Sequence, residues 1–306
     1  MKIKSRLFLA VISMLALAGL SFSGAQAGLE ILPIISGGEI GPYPEGLQSL
    51  SSIACDGEHM WGLFYTSSYQ KEIHQIDLTK RFVGEGFKVN RDLNSIYWDG
   101  QAFIGSSYEV VWRYSAVGQE IGHYVLPPEL VVKGQWVAQD NQTPGGPYLW
   151  LLDYDNILTR TRLGDPLEIE SQYNLYLQMP GYYFFGLAWD GQYLWTIAHH
   201  GLYEEQLLKI DPADGTILQS YIVMLESNYR MISLAAGCST TGEPALYLLA
   251  YNSYSRQRGL FQLGMNGQPV QQIFMPIIAK LYIQPTSTPT RTPILITPTY
   301  PPYPSP

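Results

Sequence analysis

The stretch that decides the fold is Gly186-Leu187-Ala188-Trp189-Asp190-Gly191-Gln192-Tyr193-Leu194-Trp195-Thr196-Ile197. Apolar residues run on both sides of an Asp-Gly pair. That pair suits a type I′ turn, because both central positions of such a turn need a positive φ. The stretch therefore predicts a tight hairpin of two buried strands.

The same pattern returns along the chain. Its turn aspartates are Asp56, Asp99, Asp140 and Asp190, at steps of 43, 41 and 50 residues, and a degenerate fifth copy covers 232–249. Sheet modules of this length that repeat around an axis are typical of a β-propeller. Five copies predict an all-β, five-bladed propeller of four-stranded antiparallel blades. A β-sandwich is the alternative, but it does not explain the period.

The fourth copy shows the strands of one blade. We predict strands at 185–189, 193–198, 206–210 and 216–223, with a loop at 199–205. The blades are expected at about 47–91, 92–130, 131–180, 181–229 and 230–284.

Composition agrees with a sheet protein. The 306 residues are 46% hydrophobic and only 14% charged, with 23 Tyr, 29 Gly and 21 Pro. Such a chain has ample material for a core and too few charges for a helical bundle. Its net charge of −8 argues against a nucleic-acid partner.

The two ends differ from the middle. Residues 1–27 carry a basic start, a short apolar run and small residues before position 28, which predicts a secretory signal peptide; an uncleaved anchor is the alternative. Residues 285–306 contain 8 Pro, 6 Thr and 2 Ser, which predicts a disordered tail. We expect a secreted protein, extracellular or associated with the cell wall, with no membrane span in the mature chain.

Two features are candidates for closing the ring. Cys55 and Cys238 fall near the ends of inner strands in the first and fifth copies, so they are neighbours only in a closed ring. Secretion permits a disulfide between them, and two buried thiols are the alternative. The segment 31–35, in the lead-in 28–46, resembles 274–278; we expect one or both at the seam as an outer strand, or else as separate apolar covers.

A tyrosine occurs in the loop between the second and third strand of every copy. These residues are Tyr69, Tyr108, Tyr154, Tyr203 and Tyr254. All five loops lie at one end of the predicted ring, and tyrosine combines a flat apolar face with a polar tip. They are candidates for binding a glycan, a peptide or a surface protein; packing between blades is the alternative.

A second group of polar residues is a candidate for catalysis. His199, His200, Glu204 and Glu205 form a candidate acid–base set in the fourth copy, with a solvated loop as the alternative. The repeated aspartates are interpreted as turn residues that bond to their own backbone. No established catalytic motif is present, and we expect no cofactor and no metal.

The fourth copy resembles the repeats of glutamine-cyclotransferase-type propellers, which are five-bladed and secreted. The matching residues are 183–187, Asp190-Gly191, 194–197 and Tyr203, and Thr196 stands where that signature has glutamate. The resemblance implies the architecture. We expect a monomeric, non-catalytic binding module; the alternative is a propeller enzyme, either a glutamine-cyclotransferase-like acyltransferase or a glycan-cleaving enzyme.

Overall fold

The computed structural model describes residues 30–130, 136–201, 204–226, 228–238, 245–265 and 268–269. In chain order the strands are β1 (Glu30–Leu32), β2 (Ile34–Glu39), β3 (Leu47–Cys55), β4 (Met60–Thr66), β5 (Lys71–Asp77), β6 (Phe82–Val89), β7 (Ser95–Trp98), β8 (Phe103–Ser106), β9 (Val110–Tyr114), β10 (Glu120–Val125), β11 (Trp136–Asp140), β12 (Tyr148–Leu152), β13 (Ile157–Arg162), β14 (Glu168–Asn174), β15 (Tyr183–Trp189), β16 (Leu194–His200), β17 (Glu204–Ile210), β18 (Ile217–Val223), β19 (Tyr229–Ala236), β20 (Leu246–Asn252), β21 (Arg258–Leu263) and β22 (Gln268–Pro269). The described helical pieces are α1 (Leu175–Gln178) and a 3-10 turn at Pro128–Leu130.

These strands form a five-bladed β-propeller. The blades, from the inner strand outward, are β3-β4-β5-β6, β7-β8-β9-β10, β11-β12-β13-β14, β15-β16-β17-β18 and β19-β20-β21-β2. Neighbouring strands within each blade run antiparallel. The fold class expected from the Asp-Gly period is confirmed.

The core lies between the blades. Five apolar clusters occur among the described residues, and each joins two adjacent blades. Trp195 of the fourth blade, for example, packs with Met231 and Leu248 of the fifth. Because each sheet is covered on both faces, its strands are apolar on both faces, and this explains the low content of charge.

The seam between the fifth and first blades is closed twice. The outer strand of the fifth blade is β2, which pairs antiparallel with β21 although it comes from the other end of the chain. A disulfide joins Cys55 to Cys238, whose Cα atoms lie 5.4 Å apart. Residues 274–278, residues 1–27 and the tail 285–306 lie outside the described residues.

The N-terminal segment also extends the fourth blade. There β1 pairs parallel with β18, and β22 pairs antiparallel with β1. Pro33 stands between β1 and β2, where the chain passes from one blade to the next, and its carbonyl accepts a hydrogen bond from Gly264 N–H at 2.9 Å. A residue without an N–H suits this break between two strands.

Three strands of the fourth blade are longer than the sequence predicts, and one of them, β15, begins at Tyr183 instead of 185. The structure places His199 and His200 in β16, and Glu204 and Glu205 in β17, where we expected a loop. His199 pairs with Glu205 in the ladder, and His200 pairs with Glu204. The low strand propensity of these polar residues predicts that the strands end before them. Here contacts with the next blade outweigh that preference.

Candidate functional site

The tyrosine-bearing loops reach solvent at the end of the ring where the inner strands begin. Tyr69 is 87% exposed, Tyr254 86%, Tyr154 56% and Tyr108 48%. Tyr203 lies outside the described residues. Aromatic side chains with this much exposed surface contribute little to the buried core.

Part of this end carries connected aromatic rings. Trp136, at the start of β11, contacts Tyr154 with ring centroids 5.1 Å apart and Phe185 at 5.4 Å. Burial, Asp92 and the phenols of Tyr108 and Tyr154 raise the pKa of Tyr65. We call Tyr65, Tyr108, Trp136, Tyr154 and Phe185 the aromatic arc; it crosses the first four blades. Tyr69 and Tyr254 do not belong to it.

A ring and a charged side chain face each other at one position in three blades. Each pair joins a residue near the end of the second strand to its partner near the start of the third. The pairs are Tyr65 with Lys71, His199 with Glu205, and Tyr251 with Arg258. We call them the rung pairs.

The His199–Glu205 rung pair braces the fourth blade against the fifth. Glu205 Oε2 accepts a hydrogen bond from Met231 N–H at 2.9 Å, and His199 Nε2 lies 3.2 Å from Met231 O. His199 Nδ1 and Glu205 Oε1 are 3.4 Å apart. Burial lowers the pKa of His199 to about 4 and raises the pKa of Glu205, so the environment disfavours the charge on both.

His200 and Glu204 point to the other face of the hairpin, as neighbours on a strand must. Both are about half exposed, and His200 Nδ1 lies 3.1 Å from Glu204 Oε2. Tyr182 packs on the His200 ring at 4.9 Å. The four polar residues that the sequence suggested as one set therefore form two separate pairs.

The Tyr251–Arg258 rung pair braces the fifth blade against the first. The Arg258 guanidinium lies 4.3 Å from the Tyr251 ring centroid. Its Nε donates to Leu50 O at 3.0 Å, and its Nη2 donates to Ser49 Oγ at 3.1 Å. This rung pair fastens the seam.

The Tyr65–Lys71 rung pair has no such brace. Lys71 is 1% exposed, and its Nζ lies 3.1 Å from the Tyr65 ring centroid and 3.6 Å from Asp92 Oδ1. Nζ makes no hydrogen bond. Burial lowers the pKa of Lys71 to about 8.

The repeated aspartates hold their own turns. Asp190 Oδ1 accepts the N–H groups of Gln192 at 2.8 Å and Tyr193 at 2.6 Å, and its Oδ2 accepts the indole N–H of Trp195 at 2.7 Å. Asp56 does the same with its turn and with the indole N–H of Trp61. Both carboxylates are therefore engaged in the fold.

The described part of the chain contains neither a metal-ligating cluster nor a membrane-spanning helix. No group of three or more His, Cys, Asp or Glu side chains there is arranged to hold a metal ion. Within the same residues, no helix has the length and apolar character needed to cross a bilayer.

The chain is similar to solved structures at low sequence identity. The chain is similar to the glutaminyl cyclase of Myxococcus xanthus, with a TM-score of 0.55 and 12% identity over 78% of this chain and 99% of the cyclase. It also matches the tail fiber of Staphylococcus aureus phage P68, with a TM-score of 0.49 and 12% identity over 76% of this chain and 52% of the fiber. No protein family model and no curated protein matches the sequence. These similarities concern the fold alone.

Thr196 serves structure at the position where the cyclotransferase signature has glutamate. It is fully buried, and its hydroxyl lies 2.8 Å from Gly186 O and 3.1 Å from Phe185 O. Both carbonyls lie beside the bulge in β15. The side chain thus holds a bend of the inner strand.

Sequence reasoning missed four site residues: Tyr65, Lys71, Trp136 and Phe185. Each lies at the end of a strand, outside the loops where we sought binding residues. Their shared signal is position, because they flank the connections that converge at this end of the ring. A lysine at the start of a strand ordinarily indicates a solvent-exposed edge, so the burial of Lys71 was not predictable from the sequence.

Proposed function

We propose that this protein is a secreted, non-catalytic binding propeller whose ligand, a glycan or a peptide, lies on the aromatic arc. The observation that carries the proposal is that Trp136 contacts both Tyr154 and Phe185 while Tyr154 is 56% exposed. Rigid aromatic rings with polar tips provide contact area at low cost in conformational entropy.

The disulfide supports the proposed location. A bond between Cys55 and Cys238 suits an oxidising compartment, and the sequence of residues 1–27 has the pattern of an export signal. We propose an extracellular or wall-associated protein that acts as a monomer.

An enzyme is the second candidate, and the buried His199–Glu205 pair is the observation that favours it. A neutral imidazole beside a carboxyl of raised pKa is a usual acid–base arrangement. Both side chains, however, already bond to the backbone of Met231. That anchoring gives them a structural task, and the exposed rings of the arc support binding better than turnover.

The test is a binding screen of the full chain against glycan and peptide arrays, followed by affinity measurements on Tyr154→Ala. We expect the affinity for the ligand found to fall about tenfold or more, as for an aromatic residue at the centre of an interface. Tyr254→Ala is the matched control, because Tyr254 is 86% exposed and lies outside the arc. Equal losses in the two variants, or no loss in Tyr154→Ala, would contradict the proposal.

The enzyme is tested separately with Glu205→Gln. If a substrate of the wild type is turned over and this variant loses turnover while keeping its affinity, the binding-only proposal is wrong.

A further inference from the structure

We propose that the cleft beside Lys71 is a subsite for the carboxylate of an acidic glycan. The inference rests on the proposed binding function and narrows its ligand class. The cleft lies where the first and second blades meet and has a volume of about 590 Å³. Its walls include Lys71, Lys88, Arg91 and the exposed Tyr69.

The rung pairs provide an internal comparison. At the equivalent position Glu205 bonds to Met231 N–H, and Arg258 bonds to Leu50 O. Each of these charges is compensated by the backbone of the next blade. Lys71 Nζ has no hydrogen bond to a protein acceptor, and its contacts are the Asp92 carboxylate at 3.6 Å and the Tyr65 ring at 3.1 Å. An ammonium carries three donors, so this pairing leaves its hydrogen-bonding capacity unused. Unlike Glu205 and Arg258, Lys71 therefore has donors that no acceptor of the next blade fills.

Asp92 shows which chemistry suits this ammonium. Its carboxylate is the acidic group beside Nζ, at 3.6 Å, which is too long for a strong charge-assisted hydrogen bond. Asp92 is 69% exposed while Lys71 is 1% exposed. An exposed side chain in a connection can move aside, so a carboxylate of the ligand can replace that of Asp92 and approach Nζ more closely.

The cleft combines charged side chains of both signs. Lys71, Lys88 and Arg91 line it together with Asp92 and Glu120. Arg91 lies 3.4 Å from Glu120, and Lys88 lies 4.0 Å from Glu72 outside the cleft lining. Each of these three cations thus has one carboxylate within 4.0 Å, and Lys71 is the cation of the three that is buried.

Neighbouring side chains point to a sugar as the carrier of the carboxylate. Gln70 and Asn90 add amide groups to the lining, and amides recognise hydroxyl groups. Tyr69, 87% exposed, offers a ring to the flat face of a sugar. Tyr65 belongs to the aromatic arc and also covers Nζ, so one chain of sugars can contact both places.

The experiment measures calorimetric affinities of the full chain for tetrasaccharides of galacturonate, mannuronate and glucuronate, and for the methyl ester of each. We expect at least one acid to bind about tenfold more tightly than its ester, which keeps the sugar and removes the charge. Lys71→Met should abolish that preference, and Asp92→Asn should raise the affinity for the acid several-fold. Lys80→Met, with an exposed lysine of the same blade, should change neither.

Three results overturn the subsite: no acid binds, acid and ester bind equally, or the preference survives in Lys71→Met. A loss of affinity in Asp92→Asn overturns the displacement of Asp92. Inorganic sulfate and phosphate are added as competitors, and binding of these ions through Lys71 without uronate binding overturns the assignment to a carboxylate.

Stability and the arc are checked alongside. The thermal midpoint of Lys71→Met should change little, because an apolar chain of similar length replaces the buried ammonium and the Asp92 carboxylate left behind is 69% exposed. Tyr154→Ala separates the two proposals. If it weakens acid and ester alike while Lys71→Met has no effect, the aromatic arc stands and the Lys71 subsite fails; if Tyr154→Ala affects neither ligand, the arc itself fails.

Discussion

Single side chains fix the turns of this molecule. Asp190 illustrates the arrangement, because one carboxylate accepts two backbone N–H groups and the indole N–H of Trp195, which is 1% exposed. A buried donor that loses its acceptor costs more than an exposed one. An aspartate of these turns therefore contributes most to the free energy of unfolding where it also accepts a hydrogen bond from a buried indole.

Replacement of Asp190 tests this. We expect Asp190→Ala to lower the free energy of unfolding by about 3 kcal/mol, since it orphans the Trp195 indole as well as the turn amides. Asp77→Ala is the control: Asp77 accepts the N–H groups of Thr79 and Lys80 but no indole, so its loss of stability should be clearly smaller. Urea unfolding measures both, and equal losses would contradict the argument.

The His199 imidazole predicts an acid sensitivity. Its pKa is about 4 in the fold against 6.5 in the unfolded chain, so between these values the unfolded chain binds the extra proton. The contribution of His199 to stability is therefore present above pH 6.5 and is lost as pH falls through 4, up to about 3 kcal/mol. Glu205 opposes this, because its raised pKa favours the fold as it takes up a proton.

A comparison of wild type with His199→Gln isolates the imidazole, since Glu205 is present in both. Chemical denaturation from pH 7 to pH 4 should show the wild type losing more stability than the variant. Parallel curves would refute the assignment. Near-ultraviolet circular dichroism at pH 7 checks that the variant is folded.

At the scale of strands, the sequence predicts the features that are specified by residues close together in the chain. The Asp-Gly turns and the apolar runs identify the five blades, because a turn and its flanking strands are specified within about a dozen residues. The ends of β16 and β17 were not predictable in this way. His199 and Glu205 extend the ladder because Met231, in another blade, accepts and donates the bonds that hold them.

The strand β2 depends on a residue without a side chain. A Cβ on Gly37 would lie 2.8 Å from Leu260 O and 2.8 Å from Phe261 Cα, both backbone atoms of β21. Neither can move without lifting one strand from the other. Close approach of two strands explains the glycine here.

Gly37→Val should therefore loosen the seam. We expect the free energy of unfolding to fall by about 2–3 kcal/mol, in the range of overpacking. Ser36→Val is the matched control on the same strand, because Ser36 is exposed, and it should change stability little. Thermal unfolding of both variants checks this, and similar midpoints would show that β2 does not need the close approach.

At the scale of the whole ring, the Cys55–Cys238 disulfide spans a separation of 183 residues. The chain-entropy account assigns a loop of this size about 5 kcal/mol. We expect Cys55→Ser with Cys238→Ser to lower the free energy of unfolding by several kcal/mol, measured in urea by tryptophan fluorescence. Wild type under reducing conditions should match the double variant. A loss below about 1 kcal/mol would show that pairing of β2 with β21 closes the ring almost unaided.

The origin of β2 has a consequence for biosynthesis. Ser36 and its partner Gln262 are 226 residues apart, so a nascent chain exposes one edge of the last blade long before the ribosome has made the other. Until β21 has been made, the first four blades can form while β2 has no partner strand in the fifth blade. The polypeptide is thus open to proteases and chaperones while residues 36–262 are made, which takes about 10–45 s at about 5–20 residues per second.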